Sequence, residues 1–170
     1  MNRQDVEARA EELFRGGLHC AESVFQAVLE SQGGGGAELS PRVASAFGGG
    51  VGRSKQELCG ALAGGLMALG QLRGRSTPQE PWDEVAATAE ALRQDFAAQY
   101  GGTRCLAVLE KLGPQERMDK CIRLAGRTAG MVHDALATGA DAAQAQACGC
   151  GDLHAKPTAP AQSGCGCGCK

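Results

Sequence analysis

The sequence predicts an all-α protein: a compact bundle of about five to seven helices, followed by a Cys/Gly-rich tail. Apolar residues recur at intervals of three and four through the first 137 positions, the spacing that gathers one face of a helix. No stretch of useful length alternates apolar and polar residues as a half-buried strand would. Glycine pairs, prolines and small capping residues fall between the periodic segments, where helices start and stop. From Thr138 the chain turns to Gly, Ala, Gln, Pro and Cys. The expected division is therefore a helical body over 1–139 and a disordered tail over 140–170.

The elements follow in order. Val6, Ala10, Leu13 and Phe14 share one helical face, and Gly16-Gly17 ends that helix. A second helix begins near His19, carries Cys20, Val24, Ala27 and Val28 on its inner face, and stops at Gly33–Gly36. Ser40-Pro41 is a helix start, with Ser as N-cap and Pro in the first turn. It must be short, because Phe47-Gly48-Gly49-Gly50-Val51-Gly52 cannot continue it. Ser54-Lys55-Gln56-Glu57 has the form of a capping box and is expected to open a helix that runs to about Gly70. Gly60 and Gly64 lie one turn apart in it, and Gly126 and Gly130 repeat the pattern. Mid-helix glycines cost roughly 1 kcal/mol each relative to alanine, so the two helices are predicted to cross at these positions. Residues 71–79 are a polar loop. Pro81 starts a helix whose stripe of Trp82, Val85, Ala89, Leu92 and Phe96 is a core face, not a cofactor box. Thr103 caps a short helix with Cys105, Leu106 and Leu109. The last helix is expected from about Pro114 to Ala137, with Met118, Cys121, Ala125, Thr128 and Val132 on one face.

Hydrophobic residues make up 43% of the chain but aromatics only 4%, so the core must be built from Ala, Leu, Val and Met. A net charge of −2 without a basic run offers no footprint for nucleic acid. The longest apolar stretch, Leu58 to Leu69, falls short of the ~20 residues of a spanning helix, so the protein is not expected to be membrane-embedded. The N-terminal residues lack the apolar region of a secretory signal, which makes the cytoplasm the default location. Thiols there are mostly kept reduced. Nine cysteines then point to metal binding or thiol redox work, and the odd number argues against a fully paired disulfide scaffold. Sparse aromatic content leaves a helix-mediated homodimer open.

The cysteines form two groups. Cys20, Cys59, Cys105 and Cys121 stand far apart, each in a helical stretch. Cys148, Cys150, Cys165, Cys167 and Cys169 alternate with glycine in the tail. No Cys-x-x-Cys occurs, which excludes the contiguous thioredoxin, zinc-knuckle, ferredoxin and haem-attachment motifs. If the first four act together, the fold must gather them. Cys59 and Cys105 each fall near a helix start, where partial positive charge favours thiolate, and Arg104 would push the same way. The bland reading is that each is a small buried hydrophobe.

Cys59-Gly60-Ala61-Leu62-Ala63-Gly64 matches the Cys-Gly-Ala-x-x-Gly motif of small bacterial proteins called the C_GCAxxG_C_C family. His19-Cys20-Ala21-Glu22-Ser23-Val24 resembles that family's first cysteine at a helix start. Ala46-Phe47-Gly48-Gly49-Gly50-Val51-Gly52-Arg53 resembles its glycine loop, and Cys105 and Cys121 occupy its third and fourth cysteine positions. The likeness covers about residues 5–137. It implies sulfur redox or metal chemistry at the four cysteines and goes no further; members are often encoded near transporter genes, so the unidentified redox partner could belong to a transporter-associated system. The Cys-rich tail is not part of the family pattern.

Three chemistries fit. In the first, two of Cys20, Cys59, Cys105 and Cys121 cycle between dithiol and disulfide, as in a thiol oxidoreductase, with Cys59 or Cys105 attacking. In the second, the four hold zinc or an iron–sulfur cluster; His19 is then a substitute ligand, against the commoner reading of a surface histidine. In the third, the five tail cysteines bind Cu(I) or Zn(II), soft ions suited to thiolates, for metal buffering or delivery. His133 beside Asp134 reads as a surface helical pair, not a general base. The Gly48–Gly52 loop precedes a helix, but no strand leads into it, so a dinucleotide or P-loop reading fails. Its expected role is to pass close to the motif helix and leave Cys59 approachable.

Overall fold

The computed structural model describes residues 1–33 and 40–137. Six α-helices are present: α1 (Arg3–Arg15), α2 (Cys20–Ser31), α3 (Gly60–Arg73), α4 (Asp83–Tyr100), α5 (Cys105–Leu112) and α6 (Asp119–Ala137). A 3₁₀ helix, Pro41–Phe47, lies between α2 and α3. Among the described residues the only β pairing is an isolated antiparallel bridge between Leu58 and Arg104. The all-α expectation holds. The expected tail, with Cys148, Cys150, Cys165, Cys167 and Cys169, lies outside the described residues.

Local chemistry accounts for most boundaries. Asn2 and Asp5 form a reciprocal capping box at the start of α1, which buries Val6, Ala10 and Phe14. Ser40 caps the 3₁₀ helix by accepting from the Arg42 amide, with Pro41 in the first turn. Helix α2 sits at the centre: seven of its residues are buried, among them Val24, Phe25 and Val28. Helix α3 closes the other side with Leu62 and Leu69, while Phe96 of α4 and Val132 of α6 complete the core.

The glycine pairs do bring helices close, but not to each other. Gly64 seats the backbone of Ala21 in α2, and Gly126 and Gly130 seat Glu7 and Glu11 of α1. Helices α3 and α6 meet instead through Gly65, against Val132 and Thr128. The predicted Gly–Gly crossing is therefore wrong in its partners. Gly64 admits α2 and the Gly126/Gly130 pair admits α1, and a pattern of small residues does not say which helix enters.

Three boundaries also differ. Ser54-Lys55-Gln56-Glu57 opens no helix; α3 starts at Gly60 with Cys59 as N-cap. The Ser54 hydroxyl donates to the Gly50 carbonyl instead, and the following segment is tied elsewhere by backbone bonds. Helix α6 starts at Asp119 rather than near Pro114, because Arg117 and Met118 take left-handed conformations (φ 47° and 61°) that break the helical path. Trp82 lies just before α4 and is 59% exposed, so it does not belong to the core stripe of Leu92 and Phe96.

Candidate functional site

Each of the four body cysteines occupies a helix N-terminus. Cys20 is the first residue of α2 and Cys59 the N-cap of α3. Cys105 is the first residue of α5, and Cys121 lies in the first turn of α6. The fold brings these four N-termini to one cavity of about 300 Å³, which all four cysteines line. Val108, Leu109, Met118 and Leu124 supply apolar wall, and His19, Gly49, Arg53 and Lys55 complete it. All four thiols are free. Cys59, Cys105 and Cys121 are buried, and Cys20 is partly exposed.

Two local devices gather them. The first is a strap. The Cys59 amide donates to the Thr103 carbonyl (2.7 Å), the Cys105 amide to Glu57 (2.8 Å) and the Leu106 amide to Lys55 (2.9 Å). This short ladder sets the N-termini of α3 and α5 side by side. It also explains why no helix forms ahead of Cys59: the Lys55 and Glu57 carbonyls already have partners across the strap. The second device is the glycine loop. Gly50 adopts φ 74°, and a side chain there would meet the Cβ of Cys105 and the backbone of Lys55. The loop then holds Val51, Arg53 and Lys55 at φ 59°, 65° and 63°, which costs of order 1 kcal/mol or more for each non-glycine residue. The expectation that this loop passes close to the motif helix is met: Phe47 O and the Gly48 Cα abut Gly60.

The electrostatic expectation is overturned. Helix-start positions lead one to expect lowered thiol pKa values at Cys59 and Cys105, but burial raises these two and Cys20 and Cys121 as well. Cys59 is pushed up to about 12, first by burial and then by the neighbouring Cys20; the N–H groups of Ala61 and Leu62 oppose the rise. Burial also raises Cys20, against the N–H groups of Gly49 and Ala21. Cys121 is raised by burial, while Gln115 opposes. Cys105 is raised by burial and by Cys20 and Cys121, with Lys55 acting in the opposite direction. The cation acting on Cys105 is thus Lys55, which the chain brings in from a remote loop, and not the adjacent Arg104.

The second group of site residues was not visible in the sequence. Gln115 accepts from the Cys121 amide (3.0 Å) and donates to its sulfur (3.1 Å). It thereby caps α6 from outside the helix. Gly49, Arg53 and Lys55 also line the cavity, yet carried no signal beyond the glycine loop itself; Met118, expected on the face of Cys121, lines it too. His19 caps α2; an Arg53 N–H lies 3.3 Å from its Nε2. Among the described residues, no three of the His, Cys, Asp and Glu side chains are grouped as ligands of one metal ion. His133 stands 3.5 Å from the Gln32 amide, and Asp134 pairs with Arg3; neither reaches the cavity.

A helical bundle that turns four helix N-termini, each bearing a cysteine, onto a single apolar cavity defines a cysteine-pocket protein. The model of the family described as "Putative redox-active protein (C_GCAxxG_C_C)" matches residues 18–135, and the chain belongs to that family. No curated protein and no solved structure matches the chain. Among the described residues no helix is long and apolar enough to cross a membrane.

Proposed function

We propose that the four-cysteine cavity is a two-electron thiol redox site. The observation that carries this reading is that all four free thiols, remote in sequence, line one cavity. Cys105 is the attacking thiol, since Lys55 favours its thiolate form. Cys59 is unsuited to attack: with its pKa near 12 almost none of it is thiolate at neutral pH. Resolution also needs a thiolate, so it falls to Cys20, the one thiol of the four that is not fully buried. The sulfur of Cys20 rests on Gly60, the residue next to Cys59, so these two are close neighbours. In the cycle, Cys105 attacks an acceptor sulfur, and a second thiol displaces it to leave a protein disulfide. Mild oxidation followed by mass spectrometry is expected to show one linkage among Cys20, Cys59, Cys105 and Cys121. Four thiols that remain alkylatable after oxidation, in folded protein, would overturn this.

A second reading is a metal or iron–sulfur centre at the same thiols. It is favoured by the burial that raises all four pKa values. A bound cation would displace the protons and make buried thiolates stable. Against it stands the lack of a ready ligand grouping among the described residues. Anaerobically purified protein with broad absorption near ~400 nm would select a cluster; one that is colourless and zinc-free selects disulfide chemistry. Metal buffering by Cys148, Cys150, Cys165, Cys167 and Cys169 is a separate proposal. It rests on five thiols alternating with glycine, and deletion of 146–170 should remove bound Cu(I) or Zn(II).

A further inference from the structure

Among the described residues the charged side chains that line the cysteine cavity are Arg53 and Lys55, and no Asp or Glu lines it; Asp119 acts on Cys121 from outside the lining. The four helix N-termini add partial positive charge from the same side. Inside, three of the thiols are at least nine-tenths buried and without a disulfide partner: Cys59 is 4% exposed, Cys105 and Cys121 each 8%. The rest of the wall is mostly apolar, from Val108, Leu109, Met118 and Leu124, with His19 and Gly49 beside them. Arg53 and Lys55 are themselves exposed and hang from left-handed backbone positions in the glycine loop. The loop therefore spends conformational strain at the two residues that set the sign of the entrance.

Anionic ends would meet the two cations at the mouth. An uncharged, polarisable centre would suit the apolar interior next to the sulfurs. A volume of about 300 Å³ lies at the small end of ligand sites and is too tight for a folded partner's loop. Building on the thiol-redox reading above, we propose that the cavity takes a small anionic disulfide as its oxidant, with Arg53 and Lys55 holding its charged ends and its sulfur–sulfur bond presented to Cys105.

The chemistry balances. Cys105 gives up its proton and attacks one sulfur of the small disulfide, whose S–S bond breaks as a protein–ligand mixed disulfide forms. The first small thiolate leaves and takes up a proton. A second protein thiol then loses its proton and attacks the Cys105 sulfur, so the mixed disulfide breaks and the second small thiolate leaves. Two electrons pass from the protein dithiol to the ligand, and one protein disulfide replaces one small disulfide.

The test uses the full chain, reduced, with three disulfides of similar length: dithiodipropionate (anionic), bis(2-hydroxyethyl) disulfide (neutral) and cystamine (cationic). Each rate of protein oxidation is divided by that disulfide's rate with free dithiothreitol, which removes intrinsic reactivity. The normalised anion-to-neutral ratio should be about tenfold or more at low salt. It should fall toward one in ~0.5 M salt and in the double variant Arg53→Gln/Lys55→Gln. Loss of Lys55 also reduces the Cys105 thiolate, but equally for all three disulfides, so the ratio isolates recognition of charge. Arg93→Gln, on the surface of α4, should leave the ratio unchanged. Equal normalised rates, or preference for cystamine, would overturn the inference while leaving the redox reading standing. If none of the three disulfides produces a protein disulfide, the redox reading itself fails and this inference falls with it.

Discussion

The sulfur of Cys20 packs directly on the Cα of Gly60, which leaves no room for a side chain at the second position of the Cys-Gly-Ala motif. Phe47 O lies on the same face, 2.9 Å from where a Cβ would stand. The glycine of the motif thus works on its neighbours: it lets the N-terminus of α2, the end of the 3₁₀ helix and the first turn of α3 converge. That convergence is what makes Cys20 and Cys59 share a cavity.

Gly60→Ala should therefore cost about 1–3 kcal/mol as overpacking, measured by urea unfolding of the reduced protein. Adding Cys20→Ala to Gly60→Ala should recover part of the loss, because the sulfur goes but the Phe47 carbonyl stays. Full recovery would show that the carbonyl can move aside, and none that the sulfur is not the obstacle.

Two other glycines of α3 should respond in opposite directions. At Gly64 a methyl would run into the Ala21 backbone, which cannot yield without moving α2. Gly64→Ala should lower stability by about 2 kcal/mol or more. At Gly70, exposed in the same helix, nothing stands within 4 Å, and Gly70→Ala should raise stability by roughly 0.5–1 kcal/mol through helix propensity. Thermal melts of the pair, with opposite shifts, check both together.

Much of this arrangement is written locally. The helical periods, the Ser40 cap, the glycine stops and the motif itself place Cys20, Cys59 and Cys105 at or near helix starts from the sequence. Ser54 shows where local reading ends. Its capping-box pattern is sound, but Lys55, Glu57 and Cys59 are claimed by backbone bonds with Leu106, Cys105 and Thr103, a pairing between segments nearly 50 positions apart that no local pattern encodes. The same strap carries Lys55 to Cys105. Burial is likewise a product of the assembled fold, which is why the helix-start argument gave the wrong direction for the thiol pKa values.

Trp82 and Phe96 appear equivalent in the apolar spacing and are not so in the fold. Trp82 is 59% exposed and Phe96 is fully buried, its ring 4.8 Å from that of Tyr100. Trp82→Ala should change unfolding free energy by under ~0.5 kcal/mol, whereas Phe96→Ala should cost about 3–5 kcal/mol. Denaturant midpoints of the two variants compare them directly, and a large effect at Trp82 would mean that the exposed ring is covered in solution.

The raised thiols make the reduced protein sensitive to alkali. A thiol whose folded pKa exceeds its unfolded value holds its proton more tightly when folded, so its contribution is fully present below the unfolded pKa and is lost as pH rises through the folded one. For Cys59 that window runs from the ordinary value of 9.0 to about 12, and stability should fall within it by up to about 1.4 kcal/mol per pH unit from this thiol alone. Cys20, Cys105 and Cys121 add in the same direction. Cys59→Ala should flatten the slope between pH 9 and 12 even though the lost sulfur lowers stability at neutral pH. Protein whose Cys59 is tied up in a disulfide should show the same flattening, because the titrating proton is gone; an unchanged slope in both would place the alkaline sensitivity elsewhere in the fold.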